Sequence, residues 1–279
     1  MDNILLPFLL EKTNVRGRIT RLGSTVDEVI KQHDYPEVIN KHLSELIAVC
    51  SALAGMLDYE GVFTLQTSGD GEASMMVVDI DSNGNIRAYA KYNPEIKEDT
   101  SFNELMGKGY IAFTVDQAGN AQRYQGLVEI QQDSFDNCIK HYFESSEQIE
   151  TALRSYSEKV EDSWRSGAVI IQKLPEDKDV DFTDADIFLG TCMDKELVDT
   201  SIEAKDLLYR LFHELKPTVY EEQNLVCKCR CARSKIEDFL KTLPANELDE
   251  LAEKGKIDVK CEFCDKNYHF KRAEIKCEK

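Results

Sequence analysis

No stretch of this chain approaches the run of ~20 apolar residues that a membrane-spanning helix needs. The start, Met1-Asp2-Asn3-Ile4-Leu5-Leu6-Pro7-Phe8, has neither the basic residues nor the cleavage site of a secretory signal. Both absences point to the cytoplasm, where thiols stay reduced and clustered cysteines serve metals or redox chemistry rather than structural disulfides. Basic charge is scarce as well. Lys and Arg number 34 against 52 Asp and Glu, a net charge of −18. Residues 1–221 hold 21 basic and 40 acidic side chains, whereas residues 222–279 hold 13 and 12. A protein that neutralises phosphates needs a basic footprint, so most of this chain repels nucleic acid. Only Lys228, Arg230, Arg233 and Lys235 form a modest exception.

Chemistry-bearing constellations are also missing. Gly69-Asp70-Gly71 lacks the lysine and the following helix that would cradle a phosphate, and reads as a tight loop between strands. The chain has no Ser/His/Asp or paired-carboxylate pattern. His33, His42, His141, His213 and His269 are scattered and read as structural or solvent-facing. With neither a nucleotide site nor a catalytic constellation, the chain does not read as an enzyme.

What is present is enough for a sizeable core, with 42% hydrophobic residues in a chain of 279. A mean hydropathy of −0.42 indicates a polar surface. Val15–Ile19 reads as a strand, and Ser24-Thr25 as the cap of a short helix over 26–32. Pro36 suits the first turn of a long helix whose apolar face is Ile39, Leu43, Leu46, Ile47, Cys50, Leu53, Ala54 and Leu57. From Gly61 the period changes to two. Met75–Val78 is apolar on both faces, as for a covered strand, and Asn83-Gly84 makes a hairpin turn. A second hairpin is expected at Gly119-Asn120, between 110–115 and 124–130. Phe135, Ile139, Tyr142 and Phe143 have helical spacing, and strands return over 151–158 and 166–174. Strands and helices without strict alternation indicate an α+β fold, a mixed or antiparallel sheet with packed helices.

After Pro175 the character changes. Residues 175–206 carry eleven acids against Lys178, Lys195 and Lys205, so the segment repels itself and should be only marginally ordered. Phe182, Ile187, Phe188, Leu189, Met193, Leu197 and Val198 are enough to dock it on a neighbour. Leu207, Leu208, Leu211, Phe212 and Leu215 then form one helix face that stops at Pro217. Three parts are expected: an α+β core over 1–174, an acidic helical linker over 175–221 and a small domain over 222–279, which the cysteines below mark as zinc-binding. Ordinary C-terminal helices of the core would account for the middle segment too.

Five of the nine cysteines lie between residues 227 and 264. Cys261-x-x-Cys264 is a two-thiolate chelate, and its counterpart offers Cys227, Cys229 and Cys231. Two pairs separated by a helix-sized insert suit a tetrahedral Zn²⁺. A module of about 45 residues is too small for a good core, so ligation should supply most of its folding energy. Four thiolates would leave zinc no open position for a hydrolase. A zinc-ribbon nucleic-acid-binding or translation-associated factor fits the ligand pattern but not the charge.

The same residues resemble the heat shock protein 33 family of redox-regulated holdase chaperones. The resemblance rests on Cys229-x-Cys231, the step to Cys261-x-x-Cys264, Leu240-Lys241-Thr242-Leu243-Pro244, Gly255-Lys256-Ile257-Asp258 and Tyr268-His269-Phe270. Upstream it extends to Val15-Arg16-Gly17, His33-Asp34-Tyr35-Pro36, Gly69-Asp70-Gly71, Arg123-Tyr124-Gln125-Gly126 and Tyr142-Phe143-x-x-Ser146-Glu147-Gln148. It covers most of residues 10–270, in order.

The resemblance implies an ATP-independent chaperone that binds one Zn²⁺ per chain through Cys229, Cys231, Cys261 and Cys264 when reduced. It further implies oxidation to Cys229–Cys231 and Cys261–Cys264 disulfides, release of the metal, detachment of the linker, binding of unfolded client proteins and homodimerisation on activation. Neither nucleic acid nor membrane is an expected partner. Cys227 departs from the pattern as a possible auxiliary thiol. His269 would replace a ligand only if Cys229 or Cys264 were lost. Ala232 stands where a small polar residue is common, Asp265 where glycine would turn most easily, and Cys277 lies outside the motif.

Overall fold

The period-two stretches form strands and the 3.6-period stretches form helices, in the computed structural model that describes residues 2–118, 123–131, 133–174 and 182–275. The chain opens with β1 (Ile4–Leu10), β2 (Val15–Leu22), α1 (Ser24–Ile30) and α2 (Glu37–Ala54). Next come β3 (Gly61–Gly69), β4 (Ala73–Asp81), β5 (Asn85–Tyr92), α3 (Phe102–Met106), β6 (Gly109–Gln117) and β7 (Tyr124–Glu129). Then follow α4 (Phe135–Tyr142), β8 (Thr151–Val160), β9 (Ser163–Lys173), α5 (Thr183–Gly190) and α6 (Ala204–Phe212). Three short strands, β10 (Pro217–Val219), β11 (Gln223–Asn224) and β12 (Val226–Cys227), end the first of two compact units, residues 1–227.

Two sheets organise that unit. The first has the order β10-β1-β2-β9-β8, with β11 also on β1, and is antiparallel throughout. The second has the order β12-β5-β4-β3-β6-β7, antiparallel except for the parallel pair of β12 with β5. The fold is α+β with mixed and antiparallel sheets. At the β4–β5 turn Gly84 has φ of +80°, a conformation that costs glycine little. The turn expected at Gly119-Asn120 lies outside the described residues, although β6 and β7 on either side pair antiparallel.

Helix α2 packs against strands of both sheets. From Leu43 to Ala54 every residue except Glu45 is buried, including Ser44, Ser51 and Ala48 on the side opposite the expected face. The single apolar face read from spacing is thus too narrow: small residues on the far side let a second sheet approach. Leu57 lies beyond the helix end and is exposed. Helix α1 starts at Ser24 rather than at 26, and its N-cap is Gly23 without a side-chain cap. The capping role passes to Asn3, whose Oδ1 accepts from the backbone N–H groups of Gly23 and Thr25 at 2.9 and 3.0 Å.

Residues 182–215 lie on the outer face of the first sheet. Leu197, Leu207, Leu208 and Phe212 are fully buried there against Leu6, Phe8, Ile19 and Val169. Ile187 and Met193, expected to dock, point to solvent. The sheet also contributes polar anchors that the pattern did not indicate. Arg21, wholly buried, donates to the backbone carbonyls of Asp199 and Ile202, and Arg165 donates to that of Val198 at 3.0 Å.

The second unit, 228–279, contains α7 (Arg233–Thr242), α8 (Ala245–Leu251) and the hairpin of β13 (Lys256–Lys260) with β14 (Asn267–Lys271). Its core is small: Leu240, Leu248, Ile257, Tyr268, Phe270 and Ile275. Phe239 on α7 is exposed. Ala232 occupies the N-cap of α7 and provides no side-chain cap. Arg233 compensates by donating to the His269 carbonyl at 2.7 Å while its guanidinium lies 4.3 Å from the centre of the Phe270 ring.

A candidate metal centre of four thiols

The hairpin presents one half of the cluster. Strand β13 ends at Lys260, and the turn from Cys261 to Lys266 closes with a Cys261 N–H to Lys266 carbonyl bond of 2.9 Å. Asp265 adopts the left-handed conformation, φ of +59°, so the position taken by an aspartate does require the turn that glycine makes most readily. Its carboxylate sits 2.5 Å from Lys260 Nζ. The other half, Cys229 to Cys231, is the irregular stretch leading into α7.

The Sγ atoms of Cys229, Cys231, Cys261 and Cys264 all lie within 4.8 Å of one another. Cys229 and Cys261 are 3.7 Å apart, and Cys231 and Cys264 3.4 Å. A tetrahedral zinc–thiolate site with bonds of about 2.3 Å has sulfur–sulfur edges of roughly 3.8 Å, so the donor set and its spacing fit the ion. The contacts are too long for disulfides, which need about 2.0 Å.

The local electrostatics fit a cation at the centre. Burial penalises the Cys229 thiolate, but the Cys231 N–H and the neighbouring thiols donate to it and bring its pKa down to about 7. Burial pushes the Cys261 and Cys264 thiols up, against backbone N–H donors from Cys264 and Phe263 to the former and from Lys266 to the latter. The Cys229 thiolate is therefore stabilised by S–H donors that Cys261 and Cys264 can supply only while protonated. A divalent cation removes that conflict.

Tyr268 was missed from spacing alone. Its hydroxyl donates to Cys231 Sγ at 3.1 Å, and this bond, with burial behind it, pushes the phenol up to about 12. The signal was available only across the hairpin: Tyr268 pairs with Val259, two residues before Cys261. His269 faces the other way and contacts Asp258 at 2.6 Å, outside the thiol cluster.

Cys227 is placed elsewhere. It forms the parallel bridge to Ile86, packs on the first unit's core and accepts from Gln32 Nε2 at 3.0 Å. Cys50, Cys138 and Cys192 are buried in the first unit. Burial raises the Cys50 thiol well above its ordinary value and the Cys192 thiol to about 11, which keeps both protonated. Cys277 lies outside the described residues.

An α+β body followed by a small unit closed around four thiols defines a thiol-clustered metal-binding protein. Comparison with known proteins narrows the class. The family model described as Hsp33 protein matches residues 3–271. The chain is 34% identical over 271 residues to the 33 kDa chaperonin of Escherichia coli O7:K1, covering 96% of this chain and 92% of that one. It is 33% identical to the 33 kDa chaperonin of Shigella flexneri, over 96% and 93% of the two chains. The crystal structure of the Thermotoga maritima 33 kDa chaperonin shares the fold with a TM-score of 0.86 at 20% identity, over 99% of this chain and 97% of that one.

This chain belongs to the Hsp33 family. It is a redox-regulated chaperone and not an enzyme, and the family binds zinc through cysteines such as those gathered here. Among the described residues no helix is long and apolar enough to cross a membrane.

Proposed function

We propose that the chain is an ATP-independent cytoplasmic holdase whose reduced form binds one Zn²⁺ through Cys229, Cys231, Cys261 and Cys264. The observation that carries this reading is the convergence of those four Sγ atoms, from positions thirty residues apart in sequence, into one cluster. Bound zinc would keep the thiols deprotonated and tie the two halves of a unit whose own core is six residues.

Thiolates in such a cluster react with peroxide. Each pair gives up two electrons and forms a disulfide, Cys229–Cys231 and Cys261–Cys264, while the peroxide is reduced to two waters after taking up two protons. The cysteines then no longer hold the metal, and the small unit loses most of its stability. The residues just before it in the chain, β10 to β12, are strands of only three, two and two residues. Fraying there frees the C-terminal end of the acidic segment 175–221. Detachment of this segment uncovers the apolar sheet face around Leu6, Phe8, Ile19 and Val169, which would take up unfolding client proteins and support a homodimer. The −18 charge keeps the resulting complexes apart in solution.

Zinc content, free thiols and suppression of thermal aggregation of a client, measured on one sample before and after peroxide, test the proposal. All three should change together: zinc lost, four thiols consumed, aggregation suppressed. Peroxide treatment that released no zinc, or released it without any holdase activity, would overturn it.

A further inference from the structure

Three of the stretches singled out above remain unused by the thiol switch: Val15-Arg16-Gly17, Arg123-Tyr124-Gln125-Gly126 and Tyr142-Phe143-x-x-Ser146-Glu147-Gln148. Within the first unit, Arg16, Tyr124, Tyr142, Phe143 and Glu147 line a single cavity of about 420 Å³. That size lies in the range of ligand pockets. Local backbone is adapted to it. Residues 143–147 form a π-helical turn, which Gln148 ends in the left-handed conformation at φ of +55°. Such turns recur at functional sites. Gly126 has no Cβ because one would stand 2.1 Å from the Tyr142 hydroxyl, so the tyrosine ring lies flat along β7 and stacks on Phe113 at 4.4 Å.

The lining is largely apolar, with charged groups of both signs. The Glu147 carboxylate accepts from both Tyr124 and Tyr142 hydroxyls at 2.6 Å. These bonds hold it below the usual carboxylate range, so it stays charged. Asp58, also in the lining, is exposed. Arg16 is the counterpart. Its Nη2 donates to Gln172 Oε1 at 3.0 Å, but its Nε is buried without a partner and no carboxylate pairs with it among the described residues. A guanidinium carries five N–H donors, so an arginine without a carboxylate partner has donors to offer an acceptor in the cavity. Two acids against one arginine disfavour an anionic ligand. A neutral carbonyl suits Arg16, and a cation suits Glu147 and Asp58.

We propose that this cavity binds an extended polypeptide segment: a large apolar side chain fills it, a backbone carbonyl accepts from the Arg16 guanidinium, and a flanking basic residue faces Glu147 and Asp58. The proposal rests on the chaperone reading and adds a built site, distinct from the sheet face under residues 182–215, with a preference for basic-apolar segments.

Fluorescence anisotropy on the full-length protein tests it, with a labelled unstructured peptide carrying one Phe between lysines. The comparison probes are the same peptide with glutamates for lysines, and N-acetyl-phenylalaninamide. The lysine peptide should bind about tenfold tighter than the glutamate peptide. Arg16→Met should weaken it about tenfold, the loss of one charge-assisted hydrogen bond, and Glu147→Gln should remove most of the lysine preference. Leu57 lines the cavity and is 44% exposed, so Leu57→Trp should block binding and leave the thermal melt unchanged. This variant decides the matter if Arg16→Met fails to fold. Peptide binding indifferent to both Arg16→Met and Leu57→Trp would overturn the proposal. So would N-acetyl-phenylalaninamide binding as tightly as the peptide, the mark of a small-ligand site. Aggregation suppression that persists while the cavity variants change nothing would refute this site alone. Cavity-dependent peptide binding without any holdase activity would refute the chaperone mechanism and leave the site standing.

Discussion

Phe212→Ala should make the reduced protein a chaperone without any oxidant. Phe212 is fully buried in the layer between residues 182–215 and the first sheet, with its ring stacked on Phe8 at 5.8 Å. Truncating a buried Phe costs about 3–5 kcal/mol, from lost transfer energy plus the cavity left behind. If the segment detaches as a local unit, that cost falls on the docked state alone. The detached population then rises by roughly two to nearly four orders of magnitude, at tenfold per 1.4 kcal/mol. Hydrogen exchange of the 204–215 amides reads detachment, light scattering of a heated client reads holdase activity, and metal analysis checks that zinc is retained. The expected result is fast exchange, suppressed aggregation and unchanged zinc. Fast exchange at 204–215 with no client held would refute the reasoning, because the uncovered sheet face would then not be the surface that acts.

Two further outcomes follow from the site and the core. Cys264→Ser should abolish stoichiometric zinc binding while Cys227→Ser retains one zinc per chain, as measured by metal analysis of the purified variants; the opposite pattern would move the ligand set by one cysteine. In the first unit, Asp136 accepts from the Ser155 N–H and hydroxyl at 2.8 and 2.6 Å, and burial together with nearby Glu45 raises its pKa from 3.8 to about 7. A carboxyl raised on folding gives its full stabilisation below about pH 4, and this is lost as pH rises towards 7. Asp136→Asn should therefore flatten the decline of stability between those values and make the variant more stable than the parent at pH 8, by about 4 kcal/mol at most. Denaturant melts at pH 5 and pH 8, followed by the fluorescence of the buried Trp164, check this. Identical pH slopes for the two proteins would contradict it.

Much of the fold was legible because it is locally encoded. The change of period at Gly61, the Asn83-Gly84 turn and the amphipathic stretches at 37–54, 135–142 and 204–212 all appear as elements. Among the elements not read, α3 has only five residues and β10 to β12 pair with distant strands. Strand β1 is a continuous apolar run with Pro7 at its centre, which gives no alternation, and β10 to β12 are too short for any period. The last three exist because β1 and β5 offer edges more than a hundred residues away in the chain. The narrow reading of α2 failed for a related reason: Ser44, Ala48 and Ser51 look polar or neutral on a helical wheel, yet their small size is what lets a second sheet cover them.

The thiol site divides the same way. By itself the sequence determined the donor chemistry, since two close cysteine pairs near a helix-sized insert suit a tetrahedral metal wherever they fold. Only the tertiary structure decided which thiols meet. Cys227, two residues from Cys229, is drawn off by a parallel bridge to Ile86, a residue from another part of the chain. Tyr268 is delivered to Cys231 by the register of a hairpin. Arg16 and Glu147, separated by more than a hundred residues, become oppositely charged groups of one cavity through sheet order and helix packing. Spacing along a chain reports what neighbours can do together; which distant groups share a site depends on long-range packing, and no local period records that.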